Sequence, residues 1–130
     1  MKKIDQVCII DDDPTHIFIT KKYVELSGLV ENIMIYKNGK EAYDHLKAIF
    51  TASEKLPEII LLDLNMPIWD GWQFLEEFIK IPIKSKINIF ILTSSVSATD
   101  KIQAEKFNLN GNYLVKPIAF SEIKTIFSTL

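Results

Sequence analysis

The sequence lacks several features that would point to common classes of protein. All 15 of its cations are lysine, so the bidentate arginine contacts that often recognise guanine or phosphate are missing. The net charge of −2 argues against a nucleic-acid partner bound by a basic surface. The single cysteine, Cys8, excludes an internal disulfide framework and a cysteine-rich zinc cluster. Since Cys8 lies within an apolar run, we expect it to be buried.

Long hydrophobic runs are missing as well. No apolar stretch approaches the length of about 18 residues that a membrane-spanning helix needs, and the N-terminus becomes acidic at Asp5, too early for a signal peptide. These absences predict a soluble, cytoplasmic protein with no membrane partner. With 130 residues the chain has the length of one domain, and we expect a single domain over residues 1–130 with no effector domain.

Five short apolar runs, rich in β-branched or aromatic residues, predict strands buried on both faces of a sheet. The runs lie at residues 7–10, 33–36, 59–64, 87–92 and 113–115. Segments with helical spacing follow each run. The alternation of strand and helix favours an α/β fold: a doubly wound parallel sheet with helices on both faces.

Helix start signals support this alternation. Asp13, Asn38 and Asp70 have the residue type and the position of N-caps, and residues 97–108 form a more polar helix candidate capped by Ser95 or Ser97. Two helices have apolar residues at helical spacing that predict a core-facing side. These residues are Leu75, Phe78 and Ile79 in the third helix, and Ile123, Ile126, Phe127 and Leu130 in the fifth.

Polar side chains follow almost every predicted strand at its carboxyl end, where ligands bind in doubly wound sheets. They are Asp11, Asp12 and Asp13 after the first strand, Asp63 and Asn65 at the third, Thr93 after the fourth and Lys116 after the fifth. Two carboxylates about 5 Å apart repel each other by roughly 3 kcal/mol at an effective dielectric constant near 20. Such a cluster must take up protons or bind a cation.

An all-oxygen cluster of this kind suits Mg²⁺. The charges of Mg²⁺ and Lys116 would together balance those of Asp11, Asp12 and Asp63. A phosphoryl group entering the site would meet a metal ion, an ammonium group and the Thr93 hydroxyl, which are the groups that phosphoryl transfer requires. An aspartate of the cluster could then act as the nucleophile that forms an acyl phosphate.

Four motifs in this order resemble the receiver domain of two-component response regulators. They are IIDDDP at residues 9–14, LLDLNMP at 61–67 with DG at 70–71, LTS at 92–94 and YLVKP at 113–117. The resemblance covers essentially the whole chain. It implies a flavodoxin-like fold with five strands in the order 2-1-3-4-5, and a signalling domain rather than an enzyme.

The resemblance also implies a role for each site residue. Asp63 would accept a phosphoryl group from a histidine kinase or a histidine phosphotransfer protein. Asp12 and Asp63, Asp11 through a metal-bound water, and the backbone carbonyl of Asn65 would hold the cofactor Mg²⁺. Thr93 and Lys116 would contact the phosphoryl group, and the bond between Lys116 and Pro117 would be cis.

The same resemblance assigns the output of the domain. Tyr113 would turn inward when Thr93 moves toward the phosphoryl group, and the face formed by the fourth helix, the fifth strand and the fifth helix would change its affinity for a downstream protein. Trp69, in the loop after Asn65, is expected to be exposed near the site, where it is a candidate for contact with a partner. We expect no catalytic partner for His16 or His45.

A haloacid-dehalogenase-like phosphatase is the alternative. Residues 11–15 fit its D-x-D-x-T motif, with Asp11 as the nucleophile and Asp13 as the general acid. That family also needs an acidic pair late in the chain, and Glu122 is the only acidic residue after Lys116. Asp63 would also have no role, so the receiver domain is the favoured interpretation.

Overall fold

Five parallel strands form one sheet in the computed structural model, which describes residues 3–94 and 97–130. The strands are β1 (Ile4–Ile10), β2 (Val30–Tyr36), β3 (Ile59–Asp63), β4 (Asn88–Thr93) and β5 (Tyr113–Val115), in the order β2-β1-β3-β4-β5. The five predicted strands and the 2-1-3-4-5 order are confirmed. β1 and β2 begin earlier than their apolar runs, because Ile4 pairs with Val30 and Gln6 with Asn32.

Helices follow each strand and begin close to the predicted caps. They are α1 (Pro14–Ser27), α2 (Gly39–Thr51), α3 (Gly71–Phe78), α4 (Ala98–Lys106) and α5 (Phe120–Ser128). The side chains of Asp13, Asn38, Asp70 and Ser97 accept hydrogen bonds from N–H groups in the first turns of α1 to α4. The alternative cap, Ser95, lies outside the described residues. Among the helices of the described ranges, none has the length and hydrophobicity needed to cross a bilayer.

Two hydrophobic layers cover the sheet, one on each face. Ile59 and Leu61 of β3 belong to the layer that contains residues of α1 and α5, whereas Ile60 and Leu62 belong to the layer that contains residues of α2, α3 and α4. All four side chains are fully buried, as expected for a central parallel strand with helices on both sides. The doubly wound α/β architecture is therefore confirmed, and it holds the strand ends in fixed positions.

Two residues predicted to face the core are exposed instead. Ile79 is 61% exposed and Leu130 is 56% exposed. The apolar spacing in the sequence continues past the point where each helix ends. α3 ends at Phe78 and leaves Ile79 at the C-cap, while α5 ends at Ser128 and Leu130 lies beyond it. Leu75, Phe78, Ile123 and Phe127 are buried as predicted.

Candidate functional site

Three carboxylates meet at the carboxyl edge of the sheet. β1 and β3 are neighbours with Ile10 opposite Leu62, so Asp11 and Asp63 lie side by side where the two strands end. Carboxylate oxygens of Asp11, Asp12 and Asp63 lie within 4.8 Å of one another. Asp11 and Asp63 are buried, whereas Asp12 is exposed. The predicted acidic cluster is thus formed, with one carboxylate open to solvent.

Lys116 supplies the positive charge of the cluster. Its Nζ lies 3.4 Å from Asp11 Oδ2 and 3.3 Å from Asp63 Oδ1, so one ammonium group bridges two buried carboxylates. Its backbone N–H donates to the Thr93 carbonyl oxygen at 2.8 Å, which extends the β4–β5 pairing to Lys116 itself. The bond between Lys116 and Pro117 is cis, as the resemblance implied.

Asp11 has donors on both carboxylate oxygens. The backbone N–H of Asp13 donates to Oδ1 at 3.0 Å, and His16 Nδ1 lies 2.5 Å from Oδ2. Burial alone would raise the pKa of Asp11, but the hydrogen bonds from His16 and Asp13 and the ammonium of Lys116 lower it below its usual value. Asp11 is therefore ionised at neutral pH.

The environment of Asp63 shifts its pKa in the opposite direction. Burial and the neighbouring charge of Asp11 raise the pKa of Asp63 to about 6, although Lys116 and the backbone N–H of Asn65 act against this rise. The Asn65 N–H lies 3.4 Å from Asp63 Oδ1. In the metal-free site, Asp63 therefore takes up a proton more readily than an ordinary aspartate.

Tyr113 connects β5 to α4, and Thr93 ends the neighbouring strand β4. Thr93 is the last residue of β4 and is buried. Tyr113 in β5 is half-buried, and its hydroxyl donates to the backbone carbonyl oxygen of Asp100 at 3.1 Å. A hydrogen bond thus joins the Tyr113 ring to the backbone of α4.

The donor set fits Mg²⁺. Three carboxylates with oxygens close together provide the hard oxygen ligands that Mg²⁺ prefers, and a divalent cation would relieve the repulsion between Asp11 and Asp63. Asp12 is the exposed carboxylate of the three. The histidine of the site, His16, is directed at Asp11 and does not belong to the group of three.

Sequence reasoning missed His16. The sequence predicted no catalytic partner for His16, and the structure places its ring in contact with Asp11. The fold brings them together: α1 starts directly after the Asp13 cap and places His16, Thr20 and Val24 on its buried face. A polar histidine at the start of that four-residue spacing was the available signal. His45 instead shares a 2.8 Å hydrogen bond with the hydroxyl of Tyr36.

Trp69 is half-buried rather than fully exposed. Its ring contacts the ring of Tyr43 with centroids 5.3 Å apart, and Lys40 Nζ lies 5.5 Å from the Trp69 ring centroid. Gly39 makes this packing possible, because a Cβ atom there would lie 2.9 Å from the Trp69 carbonyl oxygen. Contact of Trp69 with a partner stays a prediction. Cys8 is fully buried as predicted, and burial raises the pKa of its thiol.

Comparison with known proteins identifies related chains. The family model for the response regulator receiver domain matches residues 7–128. A probable methanogenesis regulatory protein, FilR2 of Methanothrix harundinacea, is 29% identical over 91% of this chain and 76% of its own length. Protein PilH of Pseudomonas aeruginosa is 26% identical over 87% of this chain and 86% of its own. A crystal structure of a two-component response regulator from Cytophaga hutchinsonii superposes with a TM-score of 0.85, at 29% identity, over 98% of this chain and 97% of that one.

These matches also bear on the phosphatase alternative. The carboxylate of Asp13, which that alternative needs as a general acid, caps α1 by accepting from the N–H groups of Thr15 and His16. Asp63, which it leaves without a role, lies in the centre of the cluster. Both observations agree with the family match and not with the alternative.

Proposed function

The chain belongs to the response regulator receiver domain family, and from this premise we propose that it accepts a phosphoryl group on Asp63. The donor is a phosphohistidine of a histidine kinase or a histidine phosphotransfer protein, and the exchange takes place in the cytoplasm. One observation carries the proposal: Asp63, the buried carboxylate at the end of the central strand, lies beside Asp11 with a lysine ammonium between them.

The reaction moves a phosphoryl group between two protein side chains. An Asp63 carboxylate oxygen attacks phosphorus, the new O–P bond forms as the N–P bond breaks, and the released imidazole nitrogen takes a proton from solvent. Bound Mg²⁺ neutralises charge on the phosphoryl oxygens and orients them. The site residues act by positioning and by electrostatic stabilisation, which supply most of the catalysis in phosphoryl transfer.

Each site residue has one task in this proposal. Asp12, Asp63 and the backbone carbonyl of Asn65 would hold Mg²⁺ directly, and Asp11 would act on it through a water molecule. Lys116 contacts Asp63, so its ammonium can also contact an oxygen of a phosphoryl group attached to Asp63. The hydroxyl of Thr93, at the neighbouring strand end, donates to another phosphoryl oxygen.

The output is a change in the α4-β5-α5 face, by which we mean the surface formed by α4, β5 and α5. Tyr113 lines two grooves on this face, one of about 330 Å³ that extends toward α5 and one of about 350 Å³ toward α4. Ile102 and Val115 expose apolar surface on the same face. When Thr93 moves toward the phosphoryl group, Tyr113 leaves Asp100 and the grooves change shape. Phosphorylation then favours one of two arrangements energetically, and a downstream protein binds one of them better.

The test is labelling with acetyl phosphate and Mg²⁺, followed by intact-mass and peptide mass spectrometry. We expect one phosphoryl group on Asp63, none in Asp63→Asn and unchanged labelling in Asp44→Asn, which removes an exposed acid of α2 that does not belong to the group of three carboxylates. Labelling that persists in Asp63→Asn and disappears in Asp11→Asn would establish the phosphatase-like chemistry instead.

A further inference from the structure

His16 makes the closest side-chain contact to Asp11. Its ring belongs to α1, is 5% exposed, and has Nδ1 2.5 Å from Asp11 Oδ2. Asp11 accepts from the Asp13 N–H at the other oxygen. The carboxylate is therefore held at one side by the backbone and at the other by a helix-borne ring.

The direction of this hydrogen bond follows from its chemistry. A bare nitrogen and a carboxylate oxygen would repel each other at this distance, so a hydrogen must lie between them. Oδ1 of Asp11 accepts from the Asp13 N–H, and Oδ2 faces the Lys116 ammonium at 3.4 Å, so the carboxylate is surrounded by donors and acts as the acceptor. Nδ1 of His16 therefore carries the hydrogen.

The other ring nitrogen shows that packing alone does not account for a histidine here. His16 Nε2 is buried and has no hydrogen-bond partner among the residues that the structure describes. A buried polar atom without a partner destabilises the fold, and a leucine of similar bulk would avoid that cost. The hydrogen bond to Asp11 is the interaction that a histidine makes at this position and a leucine does not.

His16 also affects Lys116. Both residues approach the same oxygen, Asp11 Oδ2. Lys116 Nζ lies 3.4 Å from this oxygen and 3.3 Å from Asp63 Oδ1, so it is nearly equidistant from the two carboxylates. If the His16 hydrogen bond were absent, Asp11 would attract the flexible lysine more strongly and draw it away from Asp63. The ring therefore helps to keep the ammonium shared between the two carboxylates.

We propose that His16 is a positioning residue of the phosphoryl-acceptor site. Its Nδ1–H orients the Asp11 carboxylate for Mg²⁺ binding, so that the Lys116 ammonium stays in contact with Asp63. This proposal rests on the proposed function, since it assigns Asp11 to the metal site. Hydrogen-bond partners of metal-binding carboxylates commonly contribute tenfold to hundredfold in metal affinity.

Two substitutions separate the hydrogen bond from the packing. His16→Leu keeps apolar bulk and removes the donor. His16→Asn keeps an N–H donor, because its amide nitrogen is separated from Cβ by the same number of bonds as Nδ1 of histidine. Thr20→Val is the matched control, because Thr20 is the next buried polar residue on the same face of α1, and its hydroxyl has no hydrogen-bond partner among the residues that the structure describes. The probe is Mg²⁺ alone, titrated by calorimetry into the full chain.

We expect His16→Leu to weaken Mg²⁺ binding about tenfold or more, His16→Asn to restore most of the affinity, and Thr20→Val to leave it unchanged. Unchanged or tighter binding in His16→Leu overturns the proposal, since His16 would then be a packing residue or a competitor of the metal. Weakening in all three variants overturns it too, because the effect would come from the packing of α1.

A measurement on the unmodified protein keeps the test independent of how the variants fold. In the metal-free protein, ¹⁵N NMR should show the hydrogen of the neutral His16 ring on Nδ1. A hydrogen on Nε2 would overturn the proposal.

Labelling with acetyl phosphate separates the two hypotheses. Absence of label on wild-type Asp63 refutes the proposed function, whereas labelled Asp63 with unaltered metal binding in His16→Leu refutes only the role of His16. At saturating Mg²⁺, the labelling rate of His16→Leu should approach that of the wild type.

Discussion

The hydroxyl of Tyr113 donates a hydrogen bond to the backbone carbonyl oxygen of Asp100 at 3.1 Å, which joins β5 to the first turn of α4. The Asp100 side chain makes further contacts. It accepts from the Trp72 indole Nε1–H at 3.1 Å and from the Ser97 backbone N–H at 3.3 Å. Asp100 therefore connects α3, the N-terminus of α4 and β5, the elements beside the proposed output face.

Replacement of Trp72 tests this connection. Trp72→Phe keeps an aromatic ring that can stack on Phe107 but loses the hydrogen bond to Asp100, so the free energy of unfolding should fall by about 1 kcal/mol. Urea unfolding followed by circular dichroism measures the change. Asp100→Ala, which removes the acceptor of the Trp72 indole N–H, should then cost less in the Trp72→Phe background than in the wild type. Strictly additive losses would show that the two side chains are not coupled.

The pH dependence of stability should reveal Asp63. Its folded pKa of about 6 lies above the ordinary value near 3.9, so the folded protein binds more protons between these two pH values. Stability from this group therefore increases as the pH falls through about 6 toward 4. Asp11, whose pKa is lowered, acts oppositely, and its contribution is lost only at still lower pH.

Asp63→Asn should remove this dependence. We expect the metal-free variant to be more stable than the wild type at about pH 7.5, by an amount on the order of 2 kcal/mol, and the difference to shrink toward pH 5. Thermal unfolding in the presence of a chelator measures the difference in stability at each pH. Asp44→Asn, at an exposed site, is the control. A constant difference across this pH range would contradict the raised pKa.

Mg²⁺ should stabilise the fold because it binds the folded site and not the unfolded chain. At a concentration about 100 times the dissociation constant, the gain is about 2.7 kcal/mol, and it should decrease below about pH 6 as protons compete for Asp63. Asp12→Asn, which removes the exposed carboxylate of the cluster, should lose most of the gain and change metal-free stability little. A melting temperature that rises equally in both proteins would exclude Asp12 as a ligand.

The packing of Trp69 on α2 leads to a fourth prediction. Gly39→Ala places a Cβ atom 2.9 Å from the Trp69 carbonyl oxygen and 3.1 Å from Phe74 Cβ, and such overpacking costs about 1–3 kcal/mol. Lys40→Ala, beside it on the exposed surface of α2, should cost less. Denaturant unfolding compares the two, and the fluorescence of Trp69 should change more in Gly39→Ala. Equal stabilities would show that the loop yields without strain.

The carboxyl edge of the sheet could be predicted because its features are local. Caps such as Asp13 and Asp70 act on N–H groups two or three residues away, and apolar runs mark strands wherever both faces are covered. Since parallel strands end at one edge, the order of elements in the chain placed Asp11, Asp63 and Lys116 at that edge, and the resemblance implied the strand order that makes them neighbours. The exposed Ile79 shows the limit of such patterns, because apolar spacing does not say where a helix stops.

The order of strands and helices, the caps and the residues at the strand ends follow from the sequence alone, since each depends on neighbours along the chain or on a shared strand direction. Which side chains touch follows from the folded chain. The contact of His16 with Asp11, the contact of Tyr113 with Asp100 and the half-burial of Trp69 depend on where each helix docks on the sheet. The docking of each helix depends on close packing of the whole core. Residues from every segment of the chain contribute to that core, so no single segment predicts it.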